Sequence, residues 1–97
     1  MLSPIPALAI RAHTATTALG RGRAAQARAL EERRSGLRRN DFGLEPLETW
    51  IGRVDGLEDA ALPARFSQWE CRNNRLAWLA LQQDGMMDAV AAAAGRH

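Results

Sequence analysis

The sequence predicts an α/β chain with one main strand, two helices and a long loop segment, and three observations carry that reading. The run from Ala7 to Thr17 holds β-branched Ile10, Thr14, Thr16 and Thr17 and one formal charge, Arg11, between Pro6 and Gly20. Arg23 to Arg34 is built from Ala, Gln, Arg, Leu and Glu, all strong helix formers. Leu76, Leu79, Ala80, Gln83, Met87, Val90, Ala91 and Ala94 recur at steps of three and four, which gives a helix one mostly apolar stripe.

Met1 to Pro6 reads as an irregular lead-in. Ala7 to Thr17 is short, nearly uncharged and bounded by Pro and Gly, the pattern of a strand covered on both faces in a parallel sheet. Its alanines pull the other way, toward helix. Gly20-Arg21-Gly22 is a turn. In the helix that follows, Arg28 sits three and four residues before Glu31 and Glu32, and Gly36 is placed to cap its C-terminus. Leu37 to Pro63 is irregular, punctuated by Asn40-Asp41, Gly43, Pro46, Gly52, Asp55-Gly56 and Pro63, with a short strand expected at Trp50 to Val54. So long a stretch without regular structure suits a surface excursion of something larger than a self-contained domain. Ser67 and Glu70 have the spacing of a capping box for the last helix, and Asn73 or Asn74 offers another start. Gly85 falls inside that helix, where close packing against a neighbour would explain it.

Composition narrows the function. The 97 residues allow at most one small domain. All 13 basic residues are Arg and 11 carboxylates nearly offset them, with no block of five like charges, so no nucleic-acid-binding face is expected. The single cysteine, Cys71, excludes an internal disulfide, and with only His13 and His97 beside it no spaced zinc cluster exists. No apolar run approaches the ~20 residues that span a bilayer, so no membrane partner is expected. The first thirty residues carry four Arg and no Asp or Glu, as transit peptides do, but Pro4 and Pro6 break an early amphipathic helix. A reducing, cytoplasmic setting fits.

No residue stands out as catalytic, cofactor-binding or metal-binding. Gly20-Arg21-Gly22 lacks the third glycine of a dinucleotide fingerprint and the Lys-Ser/Thr of a P-loop, so it reads as a structural turn. Cys71, in Trp69-Glu70-Cys71-Arg72, has one neighbouring cation but no histidine close in sequence, and reads as a packing residue. His13 reads as a hydrogen-bonded structural histidine. Trp50, Trp69 and Trp78 read as core or interface anchors, the Met86-Met87 pair as adaptable packing, and Glu31-Glu32-Arg33-Arg34 as a solvated helix face.

Ile10 through Gly20 reads I-R-A-H-T-A-T-T-A-L-G, and Glu32 through Leu37 reads E-R-R-S-G-L. This frame resembles the N-terminal entry of β-ketoacyl-acyl carrier protein synthases, whose opening strand reads V-I-T-G-L-G-x-V-T-P-L-G before a short helix and an A-G-x-S-G-I turn. Gly20 and Gly36 keep the family separation, Leu30 falls on its helix leucine, and Ala27 falls where Trp is common. Ile51 to Val54 resembles a later short strand. Arg75-Leu76-Ala77-Trp78-Leu79-Ala80-Leu81 resembles the D-R-F-x-x-x-A-L helix. Ala12 and Thr14 replace two glycines and Ala18 replaces a proline, departures that imply a divergent branch near synthases of aryl-polyene-type pigments, or a non-catalytic partner subunit.

The resemblance implies that residues 1–97 are an incomplete N-terminal portion of a thiolase-like α-β-α-β-α fold. It implies a cytoplasmic parent that is a homodimer or heterodimer, serves an acyl carrier protein, needs no cofactor and condenses acyl and malonyl groups in fatty acid or polyketide/aryl-polyene-type biosynthesis. The cysteine and two histidines that do this in the family have no match here; Cys71 does not align with that cysteine, and the chain alone is expected to be inert. A small helical interaction module docking through Leu76 to Ala94 is the alternative reading. An Arg-rich nucleic-acid binder is a third.

Overall fold

A computed structural model describes residues 3–43 and 47–95. The lead-in residues Met1 and Leu2, Pro46 of the loop segment, and His97 lie outside the described residues. Two short antiparallel sheets and three helices make a small mixed α/β protein. Thr16–Thr17 (β1) and Gly20–Arg21 (β2) form a hairpin closed by Ala18-Leu19, with Thr17 opposite Gly20 and Thr16 opposite Arg21. Arg23–Glu31 (α1) follows at once. Leu37–Arg39 (β3) pairs with Trp50–Gly52 (β4), and a 3-10 helix over Ala64–Trp69 leads to Arg72–Leu81 (α2) and Met86–Ala94 (α3).

The hairpin turns its chain back so tightly that small residues are obligatory around it. A side chain on Gly20 would place its Cβ 2.8 Å from Ala25 Cβ. One on Gly36 would stand 2.9 Å from the Ala18 carbonyl carbon. Helix α1 stops at Glu31, three residues short of the expected end. Arg33 adopts the left-handed conformation at φ 53°, while the Arg34 N–H donates to Ala29 O at 2.9 Å and the Arg33 N–H to Leu30 O at 3.2 Å. These two bonds are the Schellman closure. Gly36 is therefore a close-approach glycine beside Ala18, not the helix cap.

The expected C-terminal helix is two helices. Asp84 at φ 56° and Gly85 at φ 65° are both left-handed and separate α2 from α3. The apolar stripe holds in α2, where Leu76, Leu79 and Ala80 are half-buried, but Met87, Val90, Ala91 and Ala94 of α3 face solvent. No continuous face runs from Leu76 to Ala94. The α2 start also differs from the capping-box expectation: Cys71 is the first residue outside the helix, Asn74 Nδ2 donates to Trp69 O at 2.7 Å, and Glu70 pairs with Arg75. Strand β3 lies in the stretch that reads as irregular, and β4 ends at Gly52 where Val54 was expected.

The core is thin. Only Ala29 at 0% exposure and Leu57 at 2% are buried hydrophobics among the described residues. Phe66 joins two tryptophans, with ring centroids 6.0 Å from Trp69 and 5.9 Å from Trp78. Trp69 and Trp50 nonetheless remain exposed.

Candidate functional site

The two glycine turns and the opening segment converge on one junction. Gln26, on α1, stitches the hairpin to the helix: Thr17 Oγ1 donates to its Oε1 at 2.7 Å, and its Nε2 donates to Gly20 O at 2.7 Å. Weaker approaches of 3.3 Å reach Ala15 O and Gly22 O. Asp84 crosses from the α2–α3 break to the start of α1. Its Oδ2 accepts from the Arg23 N–H at 2.8 Å and from Thr14 Oγ1 at 2.9 Å, with Arg23 Nε 3.7 Å away. These donors, the Arg23 amide first and Thr14 next, hold the Asp84 carboxyl below its ordinary value of 3.8. A helix N-terminus attracts anions through its free amides; here the protein's own carboxylate already fills that role, so the Gly20-Arg21-Gly22 turn serves the fold.

From Arg11 to Thr17 exposure alternates residue by residue. Ala12, Thr14 and Thr16 are half-buried while Arg11, His13, Ala15 and Thr17 are exposed. Period two is the signature of extended chain. Ala12 lines a groove of about 420 Å3 against Ala89, Val90, Ala92 and Ala93 of α3. Only the last two residues of the expected strand, Thr16 and Thr17, pair in a ladder, because β2 passes into α1 after Arg21. Residues 3–15 contain no turn or bend. Among the described residues, the main-chain groups of residues 3–14 accept or donate no hydrogen bond. Ile5, Leu8 and Ile10 are 91%, 93% and 85% exposed.

The remaining candidates stay apart. Cys71 is an exposed free thiol in front of α2. Its neighbour Arg72 is engaged elsewhere, paired with Glu58 and stacked 4.6 Å over the Phe42 ring. His13 is exposed near Asp84. Arg53 links Asp41 at 3.2 Å to Glu58 at 3.6 Å and lies 5.5 Å over Phe42. The Arg53 guanidinium is the main reason the Asp41 carboxyl is held low, and Arg75 does the same for Glu70. These pairs fasten the loop segment to α2 around a cavity of about 240 Å3 that Cys71 shares with Glu58 and Glu70, both carboxylates being held by arginines. Among the described residues no group of three or more metal-ligating side chains occurs, and no helix is long and apolar enough to cross a membrane.

Gln26 and Asp84 organise this junction, and residue-type reasoning passes over both. Asp84-Gly85 did carry a signal, since Asp-Gly marks turns. Gln26 carried none, being one more helix former on a helix. No family model, curated protein or solved structure matches the chain.

Proposed function

We propose that residues 1–97 form the N-terminal portion of a divergent β-ketoacyl-acyl carrier protein synthase domain of the thiolase-like fold. The observation that carries this reading is the opening segment. From Arg11 to Thr17 its exposure alternates as in extended chain, only Thr16 and Thr17 have ladder partners, and it enters a Gly turn and a short helix in the order of the synthase frame.

The surface supports the same reading. The chain exposes 8136 Å2, whereas a folded monomer of 10.6 kDa exposes about 5,500 Å2. The excess is apolar in part, from Ile5, Leu8, Ile10, Leu30, Leu37, Leu47 and Trp50. A larger domain would cover it. In that domain the chain supplies a strand, packing helices and surface loops, while a cysteine and two histidines outside it perform the condensation. There the cysteine thiolate takes the acyl group, malonyl-carrier protein loses carbon dioxide, and the resulting carbanion attacks the thioester carbonyl and expels the thiolate. The working enzyme is a cytoplasmic homodimer or heterodimer that serves an acyl carrier protein.

The test is a condensation assay with acyl and malonyl-carrier protein, run on the chain alone and on the reading frame extended past His97. The chain alone is expected to give no product. The extended frame is expected to contain an A-C-x-x motif and two separated histidines, and to condense. Turnover by the chain alone, or an extended frame without synthase-like sequence, would overturn the proposal.

A further inference from the structure

We infer that α2 and α3 form one flap pinned to the rest of the chain by two carboxylates, Asp84 and Glu58, and that it swings away as a unit when both are released. The inference uses contacts within the chain and does not depend on the synthase reading. Among the described residues, every hydrogen bond and ion pair between residues 61–95 and residues 3–58 ends on Asp84 or on Glu58. Packing does not replace these links. No residue of α2 or α3 is buried. A cavity of about 410 Å3 lies between Gly52, Val54 and Leu57 on one side and Arg72, Asn73 and Leu76 of α2 on the other. The groove of about 420 Å3 beside Ala12 likewise stands between the opening segment and α3. Close-packed interiors have few voids larger than a water molecule, so neither helix is held by an interior of that kind.

The pins stand at opposite ends of α2, whose ten residues span about 15 Å. At its start Arg72 pairs with Glu58, and Arg75 Nη1 donates to Glu58 O at 3.0 Å. Arg53 holds the same carboxylate from the loop side, and Phe42 lies between Arg53 and Arg72. Past its end, Asp84 accepts from the Arg23 amide and the Thr14 hydroxyl. The two helices move together because the Met86 N–H donates to Gln83 O and the Ala89 N–H to Gly85 O, both at 3.0 Å, across the break. Residues 60–63 have no regular structure and supply the hinge. While one pin is closed, the other re-forms as an intramolecular contact; with both open, no polar link returns the flap. Arg23 and His13 face Asp84, while Arg53 and Arg72 face Glu58, with Asp41, Glu70 and Arg75 next in the network. Both pins need an ionised carboxylate, so the flap is held at neutral pH and released in acid.

Spin labels on Ala27→Cys of α1 and Ala91→Cys of α3, both exposed positions, test this in a Cys71→Ser background of the 97-residue chain. Pulsed electron–electron resonance is expected to give one narrow distance at neutral pH. Asp84→Gly removes one pin and suits the left-handed backbone there; Glu58→Ala removes the other. Each variant alone is expected to keep the narrow distance at neutral pH and to lose it at a higher pH than the chain with both pins. Together they are expected to replace it at neutral pH with a broad, longer distribution, while the helical circular-dichroism signal is retained. A narrow distance in the double variant would overturn the inference, and so would complete loss at neutral pH with either single variant. Loss of the helical signal in the double variant would also overturn it, because the pins would then hold the helices folded and not merely in place.

Discussion

Asp84 shows how one side chain holds distant parts of this chain together. It sits 61 residues from Arg23 and 70 from Thr14, and bonds both. Its carboxyl is held below 3.8 because those donors favour the charged form. The sign follows: the folded form resists protonation, so the stabilisation is complete above the ordinary value of 3.8 and is lost as pH falls through the lowered native value. In acid, the Arg23 amide is expected to lose hydrogen-exchange protection before the interior of α1. Asp84→Asn keeps an acceptor and is expected to abolish that acid step. An unchanged acid profile in Asp84→Asn would show that another carboxylate is responsible. Gly36 makes a different residue-scale case. A methyl group there meets Ala18 at 2.9–3.1 Å, on backbone that cannot step aside. Gly36→Ala is expected to destabilise the hairpin–β3 contact by about 1–3 kcal/mol, read as faster exchange at the β3 amides. Gly95→Ala, at φ −68° and with nothing nearer than 3.6 Å, controls for the substitution itself.

At the scale of elements, α1 is the clearest example of a unit held by something other than its own sequence. Its apolar side is narrow, with Ala29 buried and Leu30 exposed, so packing alone fixes it weakly. Gln26 does more, since its carboxamide spans both hairpin strands. Gln26→Leu keeps helix propensity and removes those bonds. It is expected to cost about 1–3 kcal/mol through the unsatisfied carbonyls, seen as loss of protection in Thr17 and Gly20 with the α1 interior retained. Helix formers made the body of α1 legible in the sequence, but its end was not. The chain closes on Arg33, whereas a glycine three residues later invites a longer helix. The last helix shows the opposite error. Its three-and-four spacing continues across Asp84-Gly85 although the backbone reverses hand there, because periodicity measures spacing and is blind to φ. Strand β3 was hidden for a third reason. Leu37-Arg38-Arg39 has no alternation of its own, all three residues being exposed, and becomes a strand only because Trp50–Gly52 lies beside it. The junction site was legible in its glycines; Asp84 carried only a turn signal, its partners lying 61 and 70 residues away, and Gln26 carried none although its partners lie four to eleven residues back.

For the whole molecule, the decisive quantity is how little is enclosed. The radius of gyration is 17.7 Å, against about 13 Å for a compact domain of this length. The extents of 57 × 38 × 30 Å agree with an arm that stands away from the rest. A cooperative transition needs a shared core, and Ala29 and Leu57 are too small a core to couple the hairpin, the loop segment and α2–α3. The isolated chain is therefore expected to melt broadly. A self-contained domain near 100 residues unfolds with about 60–80 kcal/mol of enthalpy at its midpoint. The van't Hoff value from circular dichroism should fall well below that, and hydrogen exchange should show protection confined to α1, the hairpin and α2. Covering the arm and the exposed Leu30, Leu37 and Trp50 within a longer polypeptide should sharpen it and bury the Trp50 indole, shifting its fluorescence to shorter wavelength. A steep melt of the monomer carrying the full enthalpy would mean that this chain is a domain in its own right, and the reading of its surface as the unfinished edge of a larger fold would fall with it.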